Sequence, residues 1–176
     1  MSRDVAVTTW YLEMLDRAAL KPGRAPDVAT LVRRIHPPQP ALNRQLYIDV
    51  GRDWYWRDRL VWDMARWAAF AERPTVQTWV MEAGGAMAGY VELDQQAGGN
   101  VEIAYFGITP AFFGRGLGGQ LLTEAIRKAW DTTGARRVWV HTCSLDHVAA
   151  LPNYQARGMR IYKEETVLKE LPAVNS

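Results

Sequence analysis

Apolar and polar positions change their period several times along the chain, and each change predicts an element. Residues 8–15 and 27–35 carry β-branched and aromatic side chains in short stretches. They are separated by the Pro- and Gly-bearing connection 20–26 and predict two strands. The run from His36 to Pro40 stops the second strand. Pro40 then opens a helix to about Val50, because its missing N–H falls where a helix leaves donors unpaired. Trp62, Arg66, Ala69 and Phe70 recur at helical spacing ahead of Pro74, predicting a second helix after an aromatic loop. The runs 76–81 and 87–93 on either side of Gly84-Gly85 read as a β-hairpin, with a further turn at Gly98-Gly99. A strand over 101–108, a glycine-rich turn, a helix over 117–132, a strand over 137–142, a helix near 148–157 and a strand from Met159 follow. A β-α-β-α-β unit behind a largely antiparallel amino-terminal half predicts an α/β fold of the α+β type, built on a single mixed, mainly antiparallel sheet flanked by helices. One domain over 1–176 is expected, with no internal repeat or linker.

Composition narrows the partners. The 176 residues are 48% hydrophobic and 23% charged, an ordinary globular balance. A formal charge of +2, with no run of Lys or Arg beyond two, gives no phosphate-backbone footprint, so nucleic acid is not expected as a partner. No apolar run reaches the length of a membrane span, the first residues lack a secretory pattern, and the lone Cys143 fits a reducing compartment. The expected location is the cytoplasm, with no membrane partner.

The sharpest local signal is the segment 110–122, Pro-Ala-Phe-Phe-Gly-Arg-Gly-Leu-Gly-Gly-Gln-Leu-Leu, which follows a strand and opens an amphipathic helix. Glycines there let backbone N–H groups crowd an anion at a helix N-terminus. Three kinds of phosphate site use such a turn. Gly114, Gly116 and Gly119 satisfy the dinucleotide pattern G-x-G-x-x-G, but the region about twenty residues on, Trp139-Val140-His141, offers no carboxylate. A nucleotide P-loop needs Lys then Ser or Thr, whereas Gly119 is followed by Gln120 and Leu121.

The third kind resembles the GNAT superfamily of acetyl-CoA-dependent N-acetyltransferases, over roughly residues 75–165. That family's cradle reads Gln or Arg, two residues, Gly, one residue, Gly or Ala, which matches Phe113, Gly116 and Gly118, with Phe113 departing from the pattern. Downstream, Ala150-Leu151-Pro152-Asn153-Tyr154-Gln155-Ala156-Arg157-Gly158-Met159 resembles the family's A-x-x-L-Y-x-x-x-G-F block, with Asn153 for Leu and Met159 for Phe. Upstream, the strand from Glu102 to Ile108 resembles the one that pairs with the pantetheine arm of CoA. The string His-Thr-Cys-Ser-Leu-Asp-His at 141–147, with the 150–158 block, resembles a bacterial subgroup of the family.

The resemblance implies central strands that splay apart and acetyl-CoA as co-substrate. Pyrophosphate contacts fall to Gly114, Arg115, Gly116, Leu117, Gly118, Gly119 and Gln120, and pantetheine or thioester contacts to Phe106, Gly107, Ile108 and Asn153. It also implies Tyr154 as the acid for the leaving thiolate and Glu102 as the base for the acceptor, acting directly or through water if partial burial raises its pKa. The reaction so implied is acetyl transfer by direct attack onto a small-molecule or peptide amine, with a homodimer left open. The alternative is a non-catalytic acyl-CoA-binding or regulatory module.

His141, Cys143, Asp146 and His147 cluster closely, yet no distant partner completes a metal site and nothing marks an oxyanion hole beside Cys143. No metal is expected; Asp146 reads as the cap of the following helix and Cys143 as a buried strand residue near the splay. The tryptophans between 54 and 67 read as core, with an acceptor-pocket lining as the competing reading.

Overall fold

The computed structural model describes residues 2–172. Seven strands form one sheet: β1 (Ser2–Met14), β2 (Thr30–Arg34), β3 (Val76–Ala83), β4 (Ala86–Gln96), β5 (Asn100–Ile108), β6 (Arg137–Cys143) and β7 (Arg160–Pro172), in the order β2-β3-β4-β5-β6-β1-β7. Neighbours pair antiparallel except β5 with β6, which run parallel. Four helices cover the sheet: α1 (Pro40–Gly51), α2 (Met64–Ala71), α3 (Leu117–Trp130) and α4 (Ala150–Ala156).

Local chemistry explains the helices. Pro40 takes the first position of α1, and Asn43, Leu46, Tyr47 and Val50 bury one stripe. Asp63 caps α2 by accepting from the Arg66 N–H at 2.8 Å. In α3, Leu121, Leu122, Ala125, Ile126 and Ala129 are all buried, while Arg127 and Lys128 in its last turn complement the dipole. The middle of β4, Ala88 to Leu93, is buried on both faces. Val91 and Leu93 join a core with Leu122, Ile126 and Val140 on the α3 side, while Tyr90 joins Leu46, Val50 and Val80 on the α1 side.

Two features depart from the sequence reading. β1 is not part of the amino-terminal half of the sheet: it lies between β6 and β7, pairing Thr9 to Met14 with β6 and Ser2 to Glu13 with β7. The chain then returns to the far edge along α3 and α4, held by Lys21 N–H donating to Arg157 O at 2.9 Å and Gly23 N–H to Thr123 Oγ1 at 2.8 Å. Second, Asp146 does not cap α4. Its Oδ2 reaches back to β6, accepting from Thr142 Oγ1 at 2.6 Å and Cys143 N–H at 3.0 Å, and no side chain caps the helix.

The aromatic segment between α1 and α2 is locked to the sheet by a buried ion pair. Arg59 Nη1 donates to Glu92 Oε2 at 2.7 Å, with side-chain exposures of 6% and 0%. Asn43 Nδ2 satisfies the other oxygen at 3.0 Å and reaches Thr78 Oγ1 at 2.8 Å. The guanidinium carbon lies 4.0 Å from the Phe70 ring centre, 4.2 Å from Tyr105 and 4.7 Å from Trp62. Removing one member of such a pair leaves a buried charge without compensation. Arg59→Met is therefore expected to cost about 3–5 kcal/mol in urea unfolding. A loss near zero would show that the pair does not hold this segment.

Candidate active site

Parallel pairing between β5 and β6 lasts three residue pairs, Asn100 with Arg137, Val101 with Val138 and Glu102 with Trp139, and then stops. On its other side β5 stays paired to β4, with a register shift: Glu92 faces Tyr105 and Leu93 faces Ile103, so Ala104 is an extra residue. Such a bulge bends and twists its strand, here where β5 leaves β6. From Ile103 to Ile108 the edge of β5 that faces β6 has no strand partner.

A cavity of about 760 Å³ fills the gap, within the usual range of small-molecule and cofactor sites. Phe106, Gly107 and Ile108 line it along β5, and His141 and Cys143 along β6. Gly114, Gly116, Leu117, Gly118 and Gly119 close one end at the start of α3. Gly116 caps that helix at φ 72°, and Gly114 has φ 75°, the left-handed region that glycine adopts without strain. A Cβ at either would meet nothing within 4 Å, and one at Gly118 would lie 3.7 Å from Asn153 Nδ2 and 3.9 Å from Ile108 Cγ1. This is an open concavity of backbone donors, suited to an anion.

The other predicted residues separate. Asn153 and Tyr154 of α4 line the cavity, and Asn153 Nδ2 donates to Gly118 O at 3.2 Å, tying α4 to the cradle. Tyr154 is 5% exposed; burial, reinforced by the charge of Asp146, pushes its hydroxyl well above the ordinary tyrosine range, so it stays protonated and able to donate. Arg115 and Gln120 are not among the lining residues, and the Arg115 guanidinium lies 5.2 Å over the Phe112 ring. Phe113, in place of the family's polar residue, meets the His147 ring edge-on at 5.4 Å, and Trp54 meets the same ring at 4.7 Å. Glu102 is set back from the cavity. Its Oε1 lies 3.6 Å from Nδ1 of His141, which does line the cavity, and its Oε2 accepts from Gln96 Nε2 at 2.8 Å. Burial pushes the Glu102 carboxyl above its ordinary value, against the opposing pull of His141 and Gln96.

At the end of the cavity beside α1, Trp54, Tyr55, Trp56 and Asp58 form a wall. Tyr47 and Tyr105 each donate a hydroxyl to Asp58 at 2.6 Å, one to each oxygen. Burial opposes the charge on Asp58, but these two hydrogen bonds and the nearby Arg59 outweigh it and hold the carboxyl below its ordinary pKa. The tryptophans thus divide: Trp67 is core, as the sequence reading favours, whereas Trp54 and Trp56 line the cavity. Burial and the Asp146 charge push the Cys143 thiol up, away from a reactive thiolate. Among the described residues no group of three or more His, Cys, Asp or Glu could hold a metal ion.

Asp58 and His141 escape the sequence reading. Asp58 sits in Trp-Arg-Asp-Arg, which reads as a solvated face, and His141 shares its face with Cys143, so it suggests a metal or nucleophile before a partnership with a carboxylate on another strand.

A sequence model of the Acetyltransferase (GNAT) family matches residues 43–159. No curated protein sequence matches the chain closely. Among solved structures, the GCN5-related N-acetyltransferase from Kribbella flavida is similar at 16% identity and a TM-score of 0.67, over 97% of this chain and 60% of that one. The GCN5-related N-acetyltransferase from Sphaerobacter thermophilus follows at 20% identity and 0.65, over 96% of this chain and 53% of that one. AAC(6')-Iy, in complex with the bisubstrate analog CoA-S-monomethyl-acetylneamine, is similar at 18% identity and 0.55, over 74% of this chain and 90% of that one. The chain spans less than two thirds of the length of the first two, and at these identities the likeness is one of fold. A sheet parted between β5 and β6 above a glycine cradle, and a family match covering most of the chain, together establish that this chain belongs to the GNAT family of acetyltransferases.

Proposed function

We propose that the protein transfers an acetyl group from acetyl-CoA to the amine of a cationic acceptor by direct attack. The observation that carries this reading is the continuity of one cavity from the glycine cradle, along the unpaired edge of β5, to the wall formed by the aromatic side chains and Asp58. Acetyl-CoA supplies an acetyl group activated as a thioester. The chain supplies the rest. Backbone N–H groups over 114–120 hold the pyrophosphate, where the α3 dipole favours negative charge. The edge of β5 hydrogen-bonds the pantetheine arm, and a backbone N–H between Phe106 and Ile108 polarises the carbonyl. Asn153 keeps α4 against the cradle, which holds the Tyr154 hydroxyl in position to protonate the departing thiolate. Much of the acceleration comes from holding both reactants in line, where effective molarities reach about 10⁵ M or more.

The acceptor end favours a cation. An ionised carboxylate fixed by two tyrosine hydroxyls, beside the faces of Trp54, Tyr55 and Trp56, offers charge pairing and cation–π contact to an ammonium group. The amine that attacks must be neutral, so Asp58 serves to hold a second, protonated group on the same molecule. AAC(6')-Iy, similar in fold, is in complex with a bisubstrate analog, CoA-S-monomethyl-acetylneamine. A soluble, cytoplasmic, single-domain enzyme acting on small molecules or peptides, as a monomer or homodimer, fits this reading.

Acetyl-CoA at 100 times its dissociation constant is expected to stabilise the fold by about 2.7 kcal/mol, visible as a shift in melting temperature. In Gly118→Val the branched side chain would enter the cradle, so calorimetry should find CoA binding lost while circular dichroism stays native. Normal binding by this variant would mean that the cradle lies elsewhere. Release of free thiol from acetyl-CoA, followed across diamines, aminosugars, arylalkylamines and peptides, identifies the acceptor. Binding without release from any amine would favour the non-catalytic module instead. Tyr154→Phe is expected to lower turnover about 10- to 10³-fold with CoA affinity kept, and wild-type turnover would remove Tyr154 as the acid. Asp58→Asn should raise KM for doubly cationic acceptors about 10- to 100-fold and leave singly charged ones little changed.

A further inference from the structure

Proton removal from the acceptor is the part of the chemistry that Glu102 alone does not explain, because its carboxylate is set back from the cavity. Alternation along β6 shows what stands in front of it. Val138, Val140 and Thr142 are buried on the α3 side, so Trp139, His141 and Cys143 project from the opposite face, the one that carries Tyr105 and Asp58. The last rung of the parallel ladder pairs Glu102 with Trp139, and His141 is two residues further on, where the strands have parted. The carboxylate thus meets the imidazole across the mouth of the splay, Oε1 to Nδ1 at 3.6 Å.

The imidazole is oriented from several sides. The Trp139 ring lies stacked at 6.1 Å and 29°, and the Tyr11 ring of β1 at 5.8 Å. The carboxylate is itself fixed: Trp139 Nε1 donates to Gln96 Oε1 at 3.0 Å, and Gln96 Nε2 donates to Glu102 Oε2 at 2.8 Å. With Nδ1 turned to the carboxylate, Nε2 is the nitrogen left for proton transfer. The His141 side chain is 49% exposed, so a proton it accepts can pass on to water. The other candidates in the cavity are poorer bases. Asp58 is hydrogen-bonded at both oxygens and held below its ordinary pKa, Asp146 accepts from Thr142 and Cys143, His147 Nδ1 accepts from the Ala149 N–H at 2.9 Å so that the proton of its neutral ring sits on the other nitrogen, and the Cys143 thiol is pushed up.

We propose that His141 is the catalytic base for the acceptor amine and that Glu102 is its positioning residue. This rests on the acetyl-transfer reading above. The ammonium N–H bond breaks and its proton goes to Nε2. The freed lone pair forms the new N–C bond, the C–S bond breaks, the thiolate takes its proton from Tyr154, and the second proton that the nitrogen sheds as the amide forms returns to the Tyr154 phenolate. Charged and titratable groups around the imidazole are Glu102 from β5 and Tyr11 from β1, with Lys163 and Glu165 of β7 attending Tyr11 and Lys169 of β7 lining the same cavity.

The test compares wild type, His141→Gln and Glu102→Gln. Calorimetry with CoA comes first, then kcat, KM and pH profiles of kcat/KM with the amine that releases most thiol, then NMR of the His141 ring nitrogens. CoA binding should persist in both variants. His141→Gln should lose about 10²- to 10⁴-fold in kcat near neutrality, lose the rising limb due to an imidazole, and recover in alkali as the amine deprotonates by itself. Glu102→Gln should keep that limb and lose about 10- to 100-fold in kcat with KM little changed, because the ring loses the carboxylate that faces Nδ1, and NMR should find the neutral ring carrying its proton on Nδ1 in wild type and less so in the variant. A wild-type profile in His141→Gln overturns the proposal, and so does unchanged kcat in Glu102→Gln. Loss of the limb in Glu102→Gln alone would return the base role to Glu102. If wild type binds no CoA, the acetyl-transfer reading fails instead, while the ring-nitrogen NMR still reports on the pairing of the two side chains.

Discussion

Everything at the candidate site follows from the place where the parallel ladder between β5 and β6 ends. Three residue pairs hold the strands together, and beyond Glu102 and Trp139 no backbone bond joins them. A sheet that parts in its interior leaves unpaired N–H and C=O groups, and such groups are costly unless something takes them up. The bulge at Ala104 commits β5 to this divergence while β4 keeps its other edge paired. A ligand that supplies peptide-like groups of its own is the natural occupant, because it restores the missing rungs. The cradle at one end and the carboxylate and aromatic faces at the other then fix which way that ligand runs.

The second determinant is the ion pair between Arg59 and Glu92. It joins the wall of the acceptor end to the most deeply buried strand, and its guanidinium serves as the hub for Phe70, Tyr105 and Trp62. Tyr105 touches that guanidinium and also donates to Asp58, so the residue proposed to recognise the acceptor is held through the same knot that fixes the loop. Charge buried for architecture and charge displayed to the cavity are therefore neighbours in sequence, at 59 and 58, with opposite fates.

How much of this was legible from the residues depends on the range of the interaction. Pro40 and the glycine turn at 114–119 are local signals, and the helices they mark begin where the sequence places them, at Pro40 and Leu117. The cradle glycines and Tyr154 line one cavity because the start of α3 and the body of α4 meet the same gap in the sheet, whereas Arg115 and Gln120 are not among its lining residues. The neighbours of β1 were not legible, since alternation specifies a strand but not its partner. The same limit hid His141, whose meaning comes from a carboxylate 39 positions away across the splay (141 − 102). Asp146 misled for a different reason: its position before α4 suits a cap, but the hydroxyl of Thr142 and the N–H of Cys143 compete for the same oxygen and win.

The placement of β1 bears on how the chain reaches this state during synthesis. β1 pairs with β6 and β7, so after synthesis it has no sheet partner until residues beyond 137 have been made. At about 5–20 residues per second that interval is on the order of ten seconds. For its duration the apolar side chains of Val7, Leu12 and Met14 lack the core they finally occupy. β6, one wall of the cavity, likewise gains its outer neighbour only when two segments more than 120 positions apart meet, so this side of the cavity is closed by a long-range pairing rather than built up locally.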